Sequence, residues 1–214
     1  MISILLPTVR PHLVMRAIAS IGPACGALVY EIVVVADFGV EALGCCAPEA
    51  HLHVRWIQEP RRGVIAAINT AYRAAKGEYI FLFNDESTLE PDAISLLHAE
   101  AKRTPEAIVS PRHEPRFPFR YYGLDFVPFP FARRDLLDRL GGLMDPVYKG
   151  FYADPDLSMR AHAAKVPLRV IDRAVLHHTN RHDAPHQASV DAYLLADRST
   201  FRARWDHLGE FADP

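Results

Sequence analysis

The stretch that decides the fold is RRGVIAAINTAYRAAKGEYIFLFNDES, residues 61–87. Its first part, Gly63 to Lys76, carries apolar side chains at helical spacing and is followed by Gly77, a residue type that commonly ends a helix. Tyr79 to Phe83 is then an unbroken apolar run, which is typical of a strand buried on both faces. The run stops at Asn84-Asp85-Glu86. A buried strand that ends in oxygen-rich side chains indicates a ligand site at the end of a sheet.

The same alternation of strand and helix patterns runs through the first half of the chain. A helix is predicted at residues 12–20, and another is opened by Pro91 with Ser87 or Thr88 near its cap. Strands are predicted at Ile2–Leu6, Glu31–Ala36, His53–Ile57, Tyr79–Phe83 and Ile108–Ser110. This rhythm predicts an α/β fold with a mostly parallel sheet covered by helices.

After residue 110 the sequence becomes PRHEPRFPFRYYGLDFVPFPFARRD, rich in aromatic residues, arginine and proline. It predicts an exposed loop followed by a strand within residues 124–132. Beyond it, helices are predicted at 134–140, 156–165 and 189–205, and strands at 168–171 and 174–177. Because no repeat or clear linker interrupts the pattern, we expect one domain over residues 1–214.

The composition excludes several classes of function. The formal net charge is -2, which favours neither nucleic acid nor an anionic membrane as a partner. Apolar runs such as Ile32–Ala36 are far shorter than the roughly 20 residues of a transmembrane helix, so no transmembrane segment is expected. The N-terminus, MISILLPTVRP, has no basic leader and reads as a strand, not a signal peptide. Three irregularly spaced cysteines predict reduced thiols and a cytoplasmic location.

Polar residues follow three of the predicted strands: Thr8 after the first, Asp37 after the second and Asn84-Asp85-Glu86 after the fourth. In a parallel sheet these groups converge on one rim, where ligands bind. Neither the G-x-G-x-x-G fingerprint nor a Walker sequence is present, which disfavours nicotinamide and P-loop enzymes. Hard oxygen ligands at residues 84–86 would suit Mg²⁺ or Mn²⁺, which in turn would hold a diphosphate.

Four segments together resemble the glycosyltransferases of family 2, nucleotide-sugar-dependent enzymes with the GT-A fold. ISILLPTVRP resembles the first strand of the family, and EIVVVADFG its second strand with a terminal Asp. RRGVIAAINTAYRAAKGEYIFLFNDES resembles the stretch that leads to a D-x-D-like motif, and YADPDLSMR resembles the later E-D-x-D-L-x-x-R element. The resemblance covers about residues 2–180. It implies a Rossmann-like, mostly parallel sheet sandwiched by helices, with a nucleotide-sugar-binding half at 1–110 and a smaller acceptor-side, catalytic half at 111–214.

The resemblance also implies roles for single residues around the donor. Thr8 and Asp37 would contact the nucleoside, with Asp37 accepting hydrogen bonds from the base or the ribose. Arg61 and Gly63 match a loop that borders the nucleotide, and Asn69 matches an asparagine of the following helix.

Residues 84–86 occupy the place of the metal motif but depart from D-x-D, since its first and last positions are Asn84 and Glu86. Asn84 would face the ribose, Asp85 would lie beside it and Glu86 would bind the metal. His177-His178 end a strand pattern where the family often places a histidine that completes the metal or diphosphate site. Only one of the two can face that site on an alternating strand.

Asp154 matches the catalytic Asp of the family, the carboxylate that removes the proton of the acceptor hydroxyl in an inverting transfer. Helix capping is the alternative role for this residue. Ala153 stands where the family usually has Glu, and we expect Asp156 to cap the helix that carries Arg160.

The function predicted on this basis is an inverting, metal-assisted transfer of a sugar from a nucleoside diphosphate, UDP among the candidates, to an acceptor hydroxyl. The acceptor would be a carbohydrate or a lipid-linked molecule, as in cell-surface polysaccharide synthesis, and a membrane acceptor would require peripheral docking. Two alternatives stay open. One is a sugar nucleotidyltransferase, although PTVRPHL lacks the Gly-rich basic loop that it needs after the first strand. The other is a non-catalytic nucleotide- or carbohydrate-binding protein, which Asn84 and Ala153 favour.

Overall fold

The structure, a computed structural model, describes residues 1–46, 53–115, 120–179 and 183–211. Ten strands are present in this part of the chain: β1 (Ile2–Thr8), β2 (Tyr30–Ala36), β3 (Val54–Gln58), β4 (Tyr79–Leu82), β5 (Ser87–Leu89), β6 (Ile108–Glu114), β7 (Arg120–Tyr121), β8 (Leu124–Asp125), β9 (Phe131–Arg133) and β10 (Leu168–His178). The α-helices are α1 (Pro11–Cys25), α2 (Val64–Ala74), α3 (Ala93–Arg103), α4 (Arg134–Arg139), α5 (Ala153–Ala163) and α6 (Ala184–Trp205). Val40–Cys46 and Asp206–Leu208 form short 3₁₀ helices.

Eight of the strands form one sheet in the order β3-β2-β1-β4-β9-β6-β10-β5, and β7 pairs separately with β8. Strands β1 to β4, β6 and β10 run in one direction, whereas β9 and β5 are antiparallel to their neighbours. The predicted α/β fold with a mostly parallel sheet is therefore confirmed.

Apolar residues on both faces of the central strands hold the sheet between two layers of helices. Leu5 belongs to the hydrophobic cluster that contains the buried residues of α2 and α5. The adjacent Ile4 belongs to the cluster on the other face, with the buried residues of α1 and α3. Because successive side chains of a strand point to opposite faces, unbroken apolar runs such as that of β4 are required here.

Three local predictions were wrong. Ser87 and Thr88 do not cap a helix, since they lie in β5, which pairs antiparallel with β10. Asp156 does not cap α5, because that helix already begins at Ala153. The two strands predicted near the C-terminus are one strand, β10, with an irregular register between Ile171 and Val175.

None of the helices in the described ranges is both long and apolar enough to cross a membrane.

Candidate active site

A cavity of about 210 Å³ lies at the carboxyl ends of β1, β2 and β4. These strands are neighbours in the sheet and run parallel. Their terminal residues line the cavity together: Thr8, Asp37, Asn84, Asp85 and Glu86. The predicted convergence of polar strand ends on one rim is present in the structure, and this is the position where open parallel sheets bind ligands.

The opposite wall of the first cavity comes from the loop before α2 and from the start of α6. Arg61 and Gly63 lie in that loop, and Pro185 and His186 lie in the first turn of α6. The Nη2 atom of Arg61 donates a hydrogen bond to the carbonyl oxygen of Pro185 at 3.2 Å. This bond joins the loop before α2 to the first turn of α6.

Gly63 has a structural reason to be glycine. Its φ of 93° lies in the left-handed region, and an added Cβ would stand 2.5 Å from the carbonyl oxygen of Lys149. The same carbonyl accepts a hydrogen bond from the backbone N–H of Ile65 at 3.3 Å. Gly63 therefore lets the start of α2 pack against the loop that leads to α5.

The acidic residues after β4 are tied to β1. Asp85 is buried and accepts hydrogen bonds from the Thr8 hydroxyl at 2.6 Å and from Nη1 of Arg10 at 3.2 Å. Burial raises the pKa of Asp85, against the opposing effects of Thr8 and Arg10. Glu86 forms an ion pair with Nη2 of Arg10 at 2.7 Å. Thr8, predicted as a nucleoside contact, lines the cavity and at the same time orients Asp85.

Asn84 carries an unsatisfied acceptor. Its Oδ1 atom is buried and has no hydrogen-bond partner within the described part of the chain. A buried oxygen of this kind ordinarily finds a donor, because leaving it unpaired costs about 1–3 kcal/mol. Asn84 lines both the first cavity and a second one beside it.

The second cavity, of about 290 Å³, contains the predicted catalytic residue. Asp154 lies in the first turn of α5 and lines this cavity, whereas it is not among the described residues that line the first. The helix starts there because Tyr152 adopts a left-handed conformation with φ 62°. Burial raises the pKa of Asp154 to about 7. A carboxylate with that pKa can accept a proton near neutral pH, as a general base requires.

Residues 3–152 match the family model described as glycosyl transferase family 2. The chain belongs to glycosyl transferase family 2. The resemblance seen in the sequence is thereby confirmed, and the GT-A fold is confirmed by solved structures. No curated protein matches the chain.

Three solved GT-A structures illustrate the likeness. The mannosyltransferase PcManGT from Pyrobaculum calidifontis, in complex with GDP-Man and Mn²⁺, has a TM-score of 0.74 at 17% identity, over 99% of this chain and 65% of that one. S. aureus TarS 1-349 with UDP-GlcNAc has a TM-score of 0.70 at 17% identity, over 88% of this chain and 60% of that one. GalNAc-T7 with UDP, GalNAc and Mn²⁺ has a TM-score of 0.68 at 15% identity, over 95% of this chain and 50% of that one. The chain thus spans between half and two thirds of these structures.

His177 and His178, the two histidines predicted near the metal or diphosphate, lie on different sides of β10. Nε2 of His178 is 3.7 Å from Oε2 of Glu86. The His178 ring also packs on His113, with ring centroids 5.2 Å apart. His177 points away and forms an exposed pair with Glu90 at 2.6 Å. Strand alternation thus separates the two candidates, and His178 is the one near the acidic residues.

Glu86 and His178 offer a divalent cation two protein ligands at most. Among the described residues no group of three or more His, Cys, Asp or Glu side chains could enclose a metal ion. The separation of Glu86 Oε2 and His178 Nε2 is compatible with two ligands of one ion. Mg²⁺ commonly uses one or two protein ligands and completes its shell with substrate phosphates and water. The donor set therefore suits an ion that binds together with a diphosphate.

Arg10 is a site residue that the sequence did not single out. Its side chain is about nine-tenths buried, and besides Asp85 and Glu86 it bonds Asp183 through Nε at 2.7 Å and Nη2 at 2.9 Å. Burial lowers the pKa of the guanidinium, but the bonds to these carboxylates raise it by more. The net pKa of Arg10 is therefore raised, and the side chain stays charged. The sequence signal that could have identified Arg10 is its position two residues after Thr8, at a strand end that is predicted to lie near Asp85 and Glu86.

Asp183 links this group to α6. It caps the helix by accepting a hydrogen bond from the backbone N–H of His186 at 3.1 Å. The bond from Arg10 lowers the pKa of Asp183. Arg10 thus connects the end of β1, the end of β4 and the first turn of α6.

A further buried aspartate supports the loop that contains Gly150. Asp197, on α6, accepts the backbone N–H groups of Lys149, Gly150 and Phe151 at 2.8–3.2 Å. Gly150 lines both cavities. Asp156, which is also buried, instead accepts hydrogen bonds from the side chains of Tyr148, Arg160, Arg204 and Trp205.

Asn69 is not brought to the site. It lies half-buried on α2 and, within the described residues, does not line either cavity. Its neighbour Ile68 faces the second cavity instead.

Proposed function

We propose that this chain transfers a sugar from a nucleoside-diphosphate sugar to an acceptor hydroxyl, with inversion at the anomeric carbon. The observation that carries the proposal is that the two cavities are adjacent and share the lining residues Asn84 and Gly150. The first cavity has the position and the polar rim of a donor site, and the second holds a carboxylate suited to act as a base.

In this proposal the nucleotide occupies the first cavity. The exposed carboxylate of Asp37 accepts hydrogen bonds from the base or the ribose, while Arg61 and Gly63 border the nucleotide. Asn84 accepts a hydrogen bond from a sugar or ribose hydroxyl through its unsatisfied Oδ1. Asp85 holds its place through Thr8 and Arg10 and takes no direct part.

Asp154 removes the proton of the acceptor hydroxyl as that oxygen forms a bond with the anomeric carbon. The bond from the anomeric carbon to the diphosphate oxygen breaks at the same time, and the electron pair leaves with the diphosphate. Attack opposite the leaving group inverts the configuration. With the base at Asp154 and the donor in the first cavity, the acceptor and the donor would lie on either side of Asn84.

Glu86 and His178 are the residues that would hold Mg²⁺ or Mn²⁺. When bound, the ion would act as a Lewis acid that offsets the charge of the departing diphosphate. The Mn²⁺ in the structures of PcManGT and GalNAc-T7 supports this part of the proposal.

The sugar and the base are proposed only as classes. PcManGT was solved with GDP-Man and TarS with UDP-GlcNAc, so both UDP and GDP are candidates. The chain is proposed to be one domain with a donor-binding half and an acceptor-side half, although the boundary between the halves differs from the predicted one. The donor half also uses Gly150, Phe151 and the start of α6, beyond the predicted boundary at residue 110. The cytoplasmic location likewise stays a prediction.

Thermal unfolding of the purified protein with UDP, GDP, dTDP and CDP, each with and without Mn²⁺, tests the donor site. A ligand that binds only the folded state adds about 2.7 kcal/mol at 100 times its dissociation constant. We expect one diphosphate to stabilise the protein and to do so more strongly with Mn²⁺. A lack of response to all four would refute the donor site.

The second candidate is a non-catalytic donor-binding protein, which Ala153 in the place of the usual acid favours. Ala153 is buried next to Asp154, and its methyl group cannot do the work of the glutamate that the family usually has at this position. Activity of the unmodified protein decides between the two, since donor binding without sugar transfer or donor hydrolysis would leave only the binding function. Sugar transfer that persists unchanged in Asp154→Asn would instead refute the assignment of Asp154 as the base.

A further inference from the structure

We propose that the second cavity binds the acceptor through an apolar group that stands next to the attacking hydroxyl, such as an alkyl or aryl group. This inference rests on the proposed function, since it names the class of acceptor for that reaction. The occupant is an acceptor because the cavity contains Asp154 and shares the lining residues Pro7, Val64, Asn84 and Gly150 with the first cavity.

The walls of the second cavity are mainly hydrocarbon. Six buried side chains contribute most of them: Ile65, Ile68, Leu82, Phe83, Phe129 and Met144. They come from α2, from β4 and its end, and from the loops before β9 and α5. Contact with such walls is favourable for apolar surface, at roughly 25 cal/mol per Å².

The polar groups of the cavity are few and mostly engaged. Its polar side chains in the described chain are Asn84, His113, Asp154 and His178. His113 bonds the carbonyl oxygen of Pro115 through Nδ1, and His178 lies beside Glu86. The Oδ1 atom of Asn84 and the Asp154 carboxylate are therefore the acceptors best placed for a bound hydroxyl.

The small number of polar groups in the second cavity disfavours the binding of a saccharide that has no apolar group. A sugar ring carries a hydroxyl on most of its carbons, and each buried hydroxyl without a partner costs about 1–3 kcal/mol. Asn84 and Asp154 together can satisfy one or two hydroxyls at the junction with the first cavity. A molecule with one hydroxyl at that junction and hydrocarbon beyond it matches both the polar and the apolar parts of the lining.

The test measures binding of methyl, butyl, hexyl and octyl β-D-glucosides below their micelle concentrations, by titration calorimetry on the full chain. The sugar is constant, so only the alkyl group varies. Burial of each added methylene adds about 0.8 kcal/mol, so we expect affinity to rise up to about fourfold per methylene until the cavity is full. Affinity that does not depend on chain length would overturn the proposal.

Two methionines provide a matched pair of variants. Met144 lines the second cavity, whereas Met159 is equally buried on α5 and is not among the described lining residues. Met144→Gln puts an amide into the apolar wall and is expected to weaken hexyl glucoside binding by at least about fivefold. Met159→Gln should leave it within twofold. Equal effects of both variants would place the glucosides elsewhere on the protein and refute the cavity assignment.

The chain-length series on the unmodified protein stands by itself if either variant fails to fold. It also separates this inference from the proposed function, because it needs no donor. Diphosphate binding without a chain-length effect removes the apolar acceptor alone. A chain-length effect that is lost in Met144→Gln, without any diphosphate response, removes the transferase and keeps the apolar cavity.

Discussion

Replacing Asp154 by asparagine is expected to abolish sugar transfer and, above neutral pH, to stabilise the protein. Burial moves the pKa of this carboxyl from 3.8 to about 7 in the folded state. A carboxyl with a raised pKa binds more protons when folded than when unfolded, so the free energy of unfolding falls as the pH rises between those two values. At about 1.4 kcal/mol per pKa unit, the loss reaches about 4 kcal/mol above pH 7.

The asparagine side chain of this variant would carry no charge at any of these pH values, so the variant escapes this loss. The figure of about 4 kcal/mol is an upper limit, because Asp154 borders a cavity and water that reaches it screens the charge. Urea unfolding of both proteins from pH 4.5 to 8.5 measures the effect. We expect the stability difference to grow in favour of Asp154→Asn through about pH 7, while the transfer activity of the unmodified protein rises over the same range.

Asp191→Asn is the control, since Asp191 is exposed on α6 and its replacement should change stability by less than about 0.5 kcal/mol at every pH. A stability difference for Asp154→Asn that is flat with pH, or that favours the unmodified protein at pH 8, would refute the argument from burial. Unchanged transfer activity would refute the role of Asp154 as the base.

Three further substitutions test the site. Arg10→Met leaves three carboxylates without their buried partner and should cost about 3–5 kcal/mol in urea unfolding, and a loss under about 1 kcal/mol would contradict the pairing. His178→Ala should weaken Mn²⁺ binding, measured by electron paramagnetic resonance, by at least about tenfold, while His177→Ala should not; equal losses would contradict their placement on opposite sides of β10. Gly63→Ala should destabilise by about 1–3 kcal/mol because of its φ of 93° and the close carbonyl of Lys149, and an unchanged unfolding curve would count against that contact.

Local patterns in the sequence were enough to predict the sheet and the rim of the first cavity. β4 was recognisable because its apolar run is unbroken, and its place in a mostly parallel sheet follows from the βα rhythm. The ends of β1, β2 and β4 then had to meet, since parallel neighbours end on the same side. Asp37 and Asn84 were found by this argument without any knowledge of tertiary contacts.

The errors arose where distant segments decide local structure. Ser87 and Thr88 have the chemistry of helix caps, but pairing with residues 177–178 of β10 draws them into a strand. Arg10 meets Asp183 across 173 positions of the chain, and no periodicity or spacing rule connects two such residues. Asn69 differs from both, because a motif match predicted it at the site, whereas among the described residues it is not one of those that line either cavity.

The charged groups around the cavities are better explained by function than by stability. A buried ion pair is often no more stable than well-packed apolar residues of the same volume, and a carboxylate whose pKa is raised by desolvation, such as Asp154, lowers stability when it ionises. Arg10 with its three carboxylates and Asp154 lie in different elements, yet the cavities that they border share Asn84 as a lining residue. Perturbed acids concentrate at functional sites because chemistry requires them there. Two independent costs to stability around Asn84 therefore support the proposal that sugar transfer takes place there.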